Sequence, residues 1–214
     1  MKLVKRIFLS VLFILNVVYG YSQYSLLPEV NVLKTDYGAN VGLGGKFETI
    51  LYDRFSAGFG GNYYFPITFY RETEVIAKDP NTTPNKLTLN VEREMSLSNI
   101  YLQFRTYFVG DSKDEYGIYG ILEGGALYVE LRDKIDNYDS DLYELEYDNG
   151  GIEKLWFSSI VLGLGVEKDL GFGYIYGAAK VHILTDINDV DSMFFDESLP
   201  FSVNAGIRFP IDFY

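Results

Sequence analysis

From Phe201 to Phe213 every second residue is apolar. Phe201, Val203, Ala205, Ile207, Phe209, Ile211 and Phe213 alternate with Ser202, Asn204, Gly206, Arg208, Pro210 and Asp212. A period of two puts one chemistry on each face of an extended strand. Held over 13 residues, it gives a strand long enough to cross a bilayer at a tilt. The pattern recurs upstream. Ile100, Leu102, Phe104, Thr106 and Phe108 oppose Asn99, Tyr101, Gln103, Arg105 and Tyr107. Phe55, Ala57, Phe59, Gly61, Tyr63, Phe65, Ile67 and Phe69 oppose Ser56, Gly58, Gly60, Asn62, Tyr64 and Thr68. Ala39, Val41, Leu43, Gly45, Phe47 and Leu51 oppose Asn40, Gly42, Gly44, Lys46 and Glu48. Less regular strands are predicted at 116–131, 153–168 and 172–185, and a short first one at 24–33, which makes eight.

The connections alternate in length. Tight turns at Tyr52-Asp53-Arg54, Gly110 to Glu115 and Lys168 to Gly171 separate long polar segments at 70–96, 132–152 and 186–199, with one short connection near Lys34–Asp36. Short turns alternating with long loops mark barrels of the bacterial outer membrane, with turns in the periplasm and loops outside. The predicted fold class is therefore all-β, an eight-stranded antiparallel up-and-down transmembrane β-barrel. The apolar sets are too bulky for an eight-stranded interior, which side chains fill almost completely, so they face lipid. A Lys or Arg at the lipid midplane would cost roughly 2–4 kcal/mol, which assigns Lys46, Arg105 and Arg208 to the lumen. Tyr52, Phe55, Phe108, Tyr116, Phe172, Phe213 and Tyr214 fall at the turn ends of the strands, and Tyr37, Phe69, Tyr128, Trp156 and Phe201 near the loop ends. These are the two interfacial levels that amphipathic rings prefer.

The first residues set the compartment. Lys2, Lys5 and Arg6 precede an apolar run of 12 residues, Ile7 to Val18, and small residues follow at Gly20 and Ser22. That run is too short for a membrane-spanning helix, and the three parts together read as a secretory signal peptide. Residues 1–22 are assigned to a cleavable signal peptide and 23–214 to the barrel domain. Losing the leader removes three bases and no acid, which takes the net charge from −12 to −15. A chain so acidic lacks the Lys and Arg that displace counterions from phosphates, so nucleic acid is excluded as a partner. Without cysteine there is no disulfide, thiol nucleophile or thiolate metal site.

The ending Gly206-Ile207-Arg208-Phe209-Pro210-Ile211-Asp212-Phe213-Tyr214 resembles the C-terminal signal by which outer-membrane barrels are recognised by their assembly machinery, with Gly206, Phe209, Ile211, Phe213 and Tyr214 as its marks. Pro210 departs from that pattern. With the leader ending in Tyr-Ser-Gln and the 19 tyrosines, the chain looks like small outer-membrane β-barrels of Bacteroidetes. More widely it resembles the OmpA-transmembrane-domain and OmpX family over residues 24–214. The resemblance implies the barrel fold, a Gram-negative outer membrane and insertion by the barrel-assembly machinery; it implies no activity.

The predicted lumen holds Lys46, Glu48, Arg105, Glu123, Glu167, Lys180, His182, Arg208 and Asp212, with Glu29 as a further acid. Buried charges are costly alone, so these are expected to pair, either as a fixed plug or as exchanging pairs that gate a narrow path. His182 is the single histidine, no His-x-Ser arrangement surrounds it, and its expected role is a lumen hydrogen bond rather than catalysis. The loops are acidic, with Asp133, Asp136, Asp139, Asp141, Glu144, Glu146, Asp148 and Glu153 in the third and Asp186, Asp189, Asp191, Asp196 and Glu197 in the fourth. Neither completes the ligand spacing of a calcium loop, and no metal or cofactor is expected. Pro28 and Pro210 lie on the two strands that must close the barrel, where a missing N–H weakens the ladder. The expected function is non-enzymatic: a structural or surface-interaction barrel with a plugged lumen, touching outer-membrane lipid, lipopolysaccharide and an extracellular ligand through its loops. The alternative is a small low-conductance pore or transport protein.

Overall fold

The computed structural model describes residues 23–135, 138–145, 152–186 and 199–211. The signal peptide assigned to residues 1–22, and Asp212, Phe213 and Tyr214, lie outside them. The strands are β1 (Gln23–Thr35), β2 (Gly38–Tyr52), β3 (Phe55–Ala77), β4 (Lys86–Val109), β5 (Tyr116–Ile135), β6 (Tyr143–Leu145), β7 (Ile152–Asp169), β8 (Tyr174–Asp186) and β9 (Phe201–Ile211). Every pairing is antiparallel. Among the described residues, eight strands form a ring in chain order, closed by β9 against β1, and β6 stands outside it on the edge of β3. Closure gives each strand two neighbours, so the backbone donors and acceptors are spent within the wall, as lipid requires.

The faces are those read from the alternation. On β4, Ile100, Leu102 and Phe104 are 66, 61 and 54% exposed, while Tyr101, Gln103 and Arg105 are 6, 2 and 1% exposed. Apolar residues therefore cover the outside and polar ones the inside, the reverse of a soluble barrel and the arrangement of a membrane-spanning one. Most of the expected girdle rings point outward and are exposed at their assigned levels, including Tyr52, Phe55, Phe108 and Tyr116 at the turn end. At the loop end Tyr128 and Trp156 lie 4.9 Å apart between ring centroids.

The structure departs from the sequence reading above the membrane. The segment 70–96 is not a loop: β3 runs on to Ala77 and β4 begins at Lys86, so a hairpin with its tip at 78–85 rises beyond the barrel. Its alternating Thr, Glu, Val and Leu residues suit a strand in water, but their polarity resembles a loop. The third connection is likewise shorter than 132–152, since β5 extends to Ile135 and Tyr143–Leu145 adds β6 to the end of β3. A register shift between Tyr64 and Ile67, around Pro66, also reverses the facing of β3. Ile67 and Phe69, expected on the lipid side, turn inward against the interior cluster. Tyr37 and Phe69, expected in the loop-end girdle, stack there at 4.2 Å between centroids. An extra residue on one strand bends it and swaps its faces.

The closing seam carries its own irregularity. Tyr24 to Leu26 pair with Ile211 to Phe209, and Glu29 to Lys34 pair with Gly206 to Phe201. Between them Leu27 and Pro28 pair with Lys46 and Gly45 on β2 but, among the described residues, have no partner on β9. Pro28 cannot donate, so the ladder skips where the barrel closes. Amides around Leu27 and Ile207–Arg208 are expected to exchange at least about tenfold faster than those around Phe104–Arg105 in the β4–β5 ladder. Hydrogen exchange on the refolded protein checks this, and equal protection would remove the weak seam.

Candidate functional site in the barrel interior

Inward positions of the turn-end half converge on an ionic network. Glu29, Lys46, Glu48, Arg105, Glu123, Glu167, Lys180, His182 and Arg208 are all buried within the barrel; Asp212, predicted with them, lies outside the described residues. Without Asp212, this set balances four carboxylates against four permanent cations. Lys46 Nζ stands 2.7 Å from Glu29 Oε2, and Lys180 Nζ 2.8 Å from Glu123 Oε1. Arg105 bridges β2 and β7, with Nη2 at 3.4 Å from Glu48 Oε2 and Nη1 at 2.9 Å from Glu167 Oε2. Arg208 Nη2 donates to Glu167 Oε1 at 2.7 Å. Glu123, on an irregular strand, is thus fixed by Lys180.

Tyrosines complete what the charges begin, and sequence reasoning assigned them no role. Arg105 lies 4.1 Å from the Tyr119 ring centroid, Arg208 3.8 Å from that of Tyr174, Lys46 4.9 Å from that of Tyr176 and Lys180 5.5 Å from that of Tyr101. Each interior cation therefore has both a carboxylate and the negative face of an aromatic ring. The hydroxyls serve the carboxylates: Tyr107 donates to Glu167 at 2.7 Å, and Tyr101 and Tyr176 donate to Glu29 at 3.2 and 2.8 Å. Asn204 donates to Glu29 as well, at 2.6 Å. The signal was present in the alternation, which puts Tyr101 and Tyr107 in the polar set. These rings fit because facing positions are glycine. A Cβ on Gly165 would lie 2.3 Å from the Tyr119 ring, and one on Gly206 would lie 2.7 Å from the Tyr176 hydroxyl and 2.3 Å from the Pro28 carbonyl. Gly206, marked above as part of the assembly signal, thus also makes room inside the barrel.

His182 has a partner that the sequence reading missed. Its Nε2 lies 2.7 Å from Ser202 Oγ, across the β8–β9 pairing that sets Lys180 opposite Ser202. Local sequence around His182 could not show it, because the serine comes from the next strand. Both side chains are buried.

Toward the loop end the interior changes character. Asn31 and Asn62 meet at 2.9 Å, and Asn99 Oδ1 accepts from the Asn62 backbone N–H at 2.9 Å. Beyond them Leu33, Tyr64, Met95, Leu97, Leu127 and Phe157 belong to a buried apolar cluster. The expectation of a small and polar lumen thus fails for this level, where inward positions carry large apolar side chains. Above the cluster Asp133, expected in a solvated acidic loop, is clasped by Arg93 and by Arg71, the latter at 2.8 Å. Partial burial would raise the Asp133 pKa, but the two guanidiniums outweigh it and hold the carboxyl below the usual aspartate range. At the turn end, the 110–115 turn folds across the barrel. Arg208 Nη2 donates to the Ser112 carbonyl at 2.8 Å, the Ser112 N–H donates to the Asp53 carbonyl at 2.9 Å, and Lys113 pairs with Asp53 at 2.9 Å. Among the described residues no group of His and acidic side chains is placed to hold a metal ion.

No protein-family model and no curated protein matches the chain. Among solved structures it is similar to Ail, the attachment invasion locus protein of Yersinia pestis in complex with the heparin analogue sucrose octasulfate, at 12% identity, over 88% of this chain and 97% of that one, with a TM-score of 0.46. It is also similar to Neisserial surface protein A, at 9% identity over 89 and 97% with a TM-score of 0.43. A third is the outer membrane protein OprG from Pseudomonas aeruginosa, at 13% identity over 90 and 96% with a TM-score of 0.37. The inside-out barrel stands on this chain's own register and exposure pattern.

Glu167 takes bonds from Arg105, Tyr107 and Arg208, on two other strands. Glu167→Ala leaves two buried guanidiniums without their shared carboxylate and is expected to cost about 3–5 kcal/mol, read from urea unfolding in lipid vesicles. A loss below about 1 kcal/mol, the range of exposed pairs, would show that the network is not structural. Asp133 gives a pH prediction. Its folded pKa lies below its unfolded one, so its contribution is complete above about pH 4 and is lost as pH falls through the folded value. Proteolysis of the hairpin should accelerate only below that point, and Asp133→Asn should remove the dependence.

Proposed function

We propose that this chain is an outer-membrane barrel with a closed lumen, serving a structural or surface-interaction role through the sheet and loops at its loop end. The observation that carries the reading is the order of the interior: a paired ionic network at the turn end, then an apolar cluster that fills the loop end. Eight strands leave little free cross-section, and both levels spend it on side chains. The wall meanwhile continues past its lipid-facing part as a sheet of β3, β4 and β5 edged by β6, which offers surface where a pore would need only a mouth. The apolar exterior supports contact with outer-membrane lipid and lipopolysaccharide, and the C-terminal pattern supports delivery by the barrel-assembly machinery. Residues 1–22 supply the export signal. The protein is not an enzyme on this reading, because the His182–Ser202 pair is buried beneath the apolar cluster, out of reach of a substrate.

Planar-bilayer recording of the refolded mature protein tests the closed lumen, with folding checked by heat-dependent gel mobility. A silent barrel is expected. Discrete channels altered by charge reversal at Arg105 or Glu48 would overturn the reading and make the network the gate of a small pore.

A further inference from the structure

Three short connections join strands at the turn end, and one is built differently from the other two. Asp53 and Arg54 lie exposed between β2 and β3, as do Leu170, Gly171 and Phe172 between β7 and β8. The connection from β4 to β5 is longer, and Ser112 at its tip is only 3% exposed, beside Lys113 with a side chain 57% exposed. The sequence explains the inward bend. Gly110 takes a φ of +71°, where a Cβ would lie 2.3 Å from the Tyr116 carbonyl oxygen. The Asp111 carboxylate then accepts from the Lys113 N–H at 2.7 Å and from the Asp114 N–H at 3.2 Å. A left-handed glycine followed by an Asx turn reverses the chain within a few residues.

Ser112 is held from both sides by its backbone. Its N–H donates to the Asp53 carbonyl at 2.9 Å, and its carbonyl accepts from Arg208 Nη2 at 2.8 Å. Arg208 stands on β9, four places from β4 either way round the ring, so its guanidinium meets the turn from the opposite wall. From these contacts we infer that residues 110–115 form a strap across the turn-end mouth of the barrel, with Arg208 as its catch, and that the strap opens while the wall stays closed. Its polar attachments to other elements, among the described residues, are the Arg208 bond, the Ser112–Asp53 and Glu115–Asp169 backbone bonds and the exposed Lys113–Asp53 pair. An exposed pair contributes little, whereas the strands on either side of the turn are tied along their whole ladder. The same Arg208 Nη2 donates to Glu167 Oε1 at 2.7 Å. One nitrogen therefore couples the strap to the ionic network: loss of the Arg208 charge releases the strap, and release uncovers the network to the periplasm.

The absence of native cysteine makes single thiols clean probes, and Ser112→Cys keeps both backbone bonds. Ser112→Cys and Lys113→Cys are refolded in detergent micelles, checked by gel mobility and treated with a small charged methanethiosulfonate, each alone and combined with Arg208→Gln. With Arg208 intact, the thiol at position 112 is expected to react at least about tenfold more slowly than the thiol at position 113. With Arg208→Gln, the two rates should come within about threefold of each other. Equal rates with Arg208 intact would mean that no strap covers the mouth. A thiol at position 112 still slow after Arg208→Gln would mean that Arg208 is not the catch; either result overturns the inference. Should Arg208→Gln not refold, hydrogen exchange of the unaltered protein decides. The Ser112 amide is expected to exchange at least about tenfold faster than the Ile121 and Leu122 amides of β5. Protection equal to theirs would mean that the turn opens only with the wall, and the strap would fall. Conductance plays no part in these readouts, so the strap and the closed lumen fail separately.

Discussion

Charge inside a lipid-embedded barrel can persist only if each ion is answered within the wall, and the tyrosines make that answer possible here. A carboxylate alone would neutralise each cation but leave most of its surface desolvated. A ring face adds attraction without adding charge, and the hydroxyls of Tyr101 and Tyr176 also reach Glu29. Glu167 gathers Arg105, Tyr107 and Arg208, and Glu29 gathers Lys46, Tyr101, Tyr176 and Asn204. The strands bearing these groups are held in register by contacts through the lumen as well as by the ladder. A slip of one residue would turn every one of them toward lipid.

Much of this was legible in the alternation, because a single physical rule, apolar outside and polar inside, governs all the strands that cross lipid. It placed Lys46, Glu48, Arg105 and Arg208 inside and Ile100, Leu102 and Phe104 outside, as the structure has them. It failed where that rule stops. Beyond Tyr64 the chain meets water on its outer side, so Ile67 and Phe69 obey the opposite rule, that of an ordinary soluble sheet, and the facing changes at Pro66. The hairpin strands of 71–77 and 86–91 were unreadable for the same reason, since a strand with water on its outer side has the polarity of a loop. Ser202 beside His182 was invisible because it depends on register between strands, which composition along one strand does not contain.

The interior also separates two tasks commonly assigned to one set of residues. The ions bind strands to one another, whereas the apolar side chains pack together at the loop end. The cluster, built from Leu97, Leu127, Phe157 and their neighbours, is packed by dispersion and tolerates little loss of volume.

The reversal at Pro66 marks where β3 leaves β2. Below it, β3 is locked to β2 from Phe55 to Tyr64. Above it, the β3 backbone pairs, among the described residues, with β4 and at its tip with β6, while Ile67 and Phe69 pack on the interior cluster and Arg71 reaches Asp133 on β5. Residues added in matched pairs to the upper hairpin shift no contact below the bulge. Variation that leaves the barrel body fixed therefore belongs to the hairpin beyond Arg71, where the outer sheet can lengthen or shorten, and not to the stretch from Ile67 to Phe69 that the interior cluster holds.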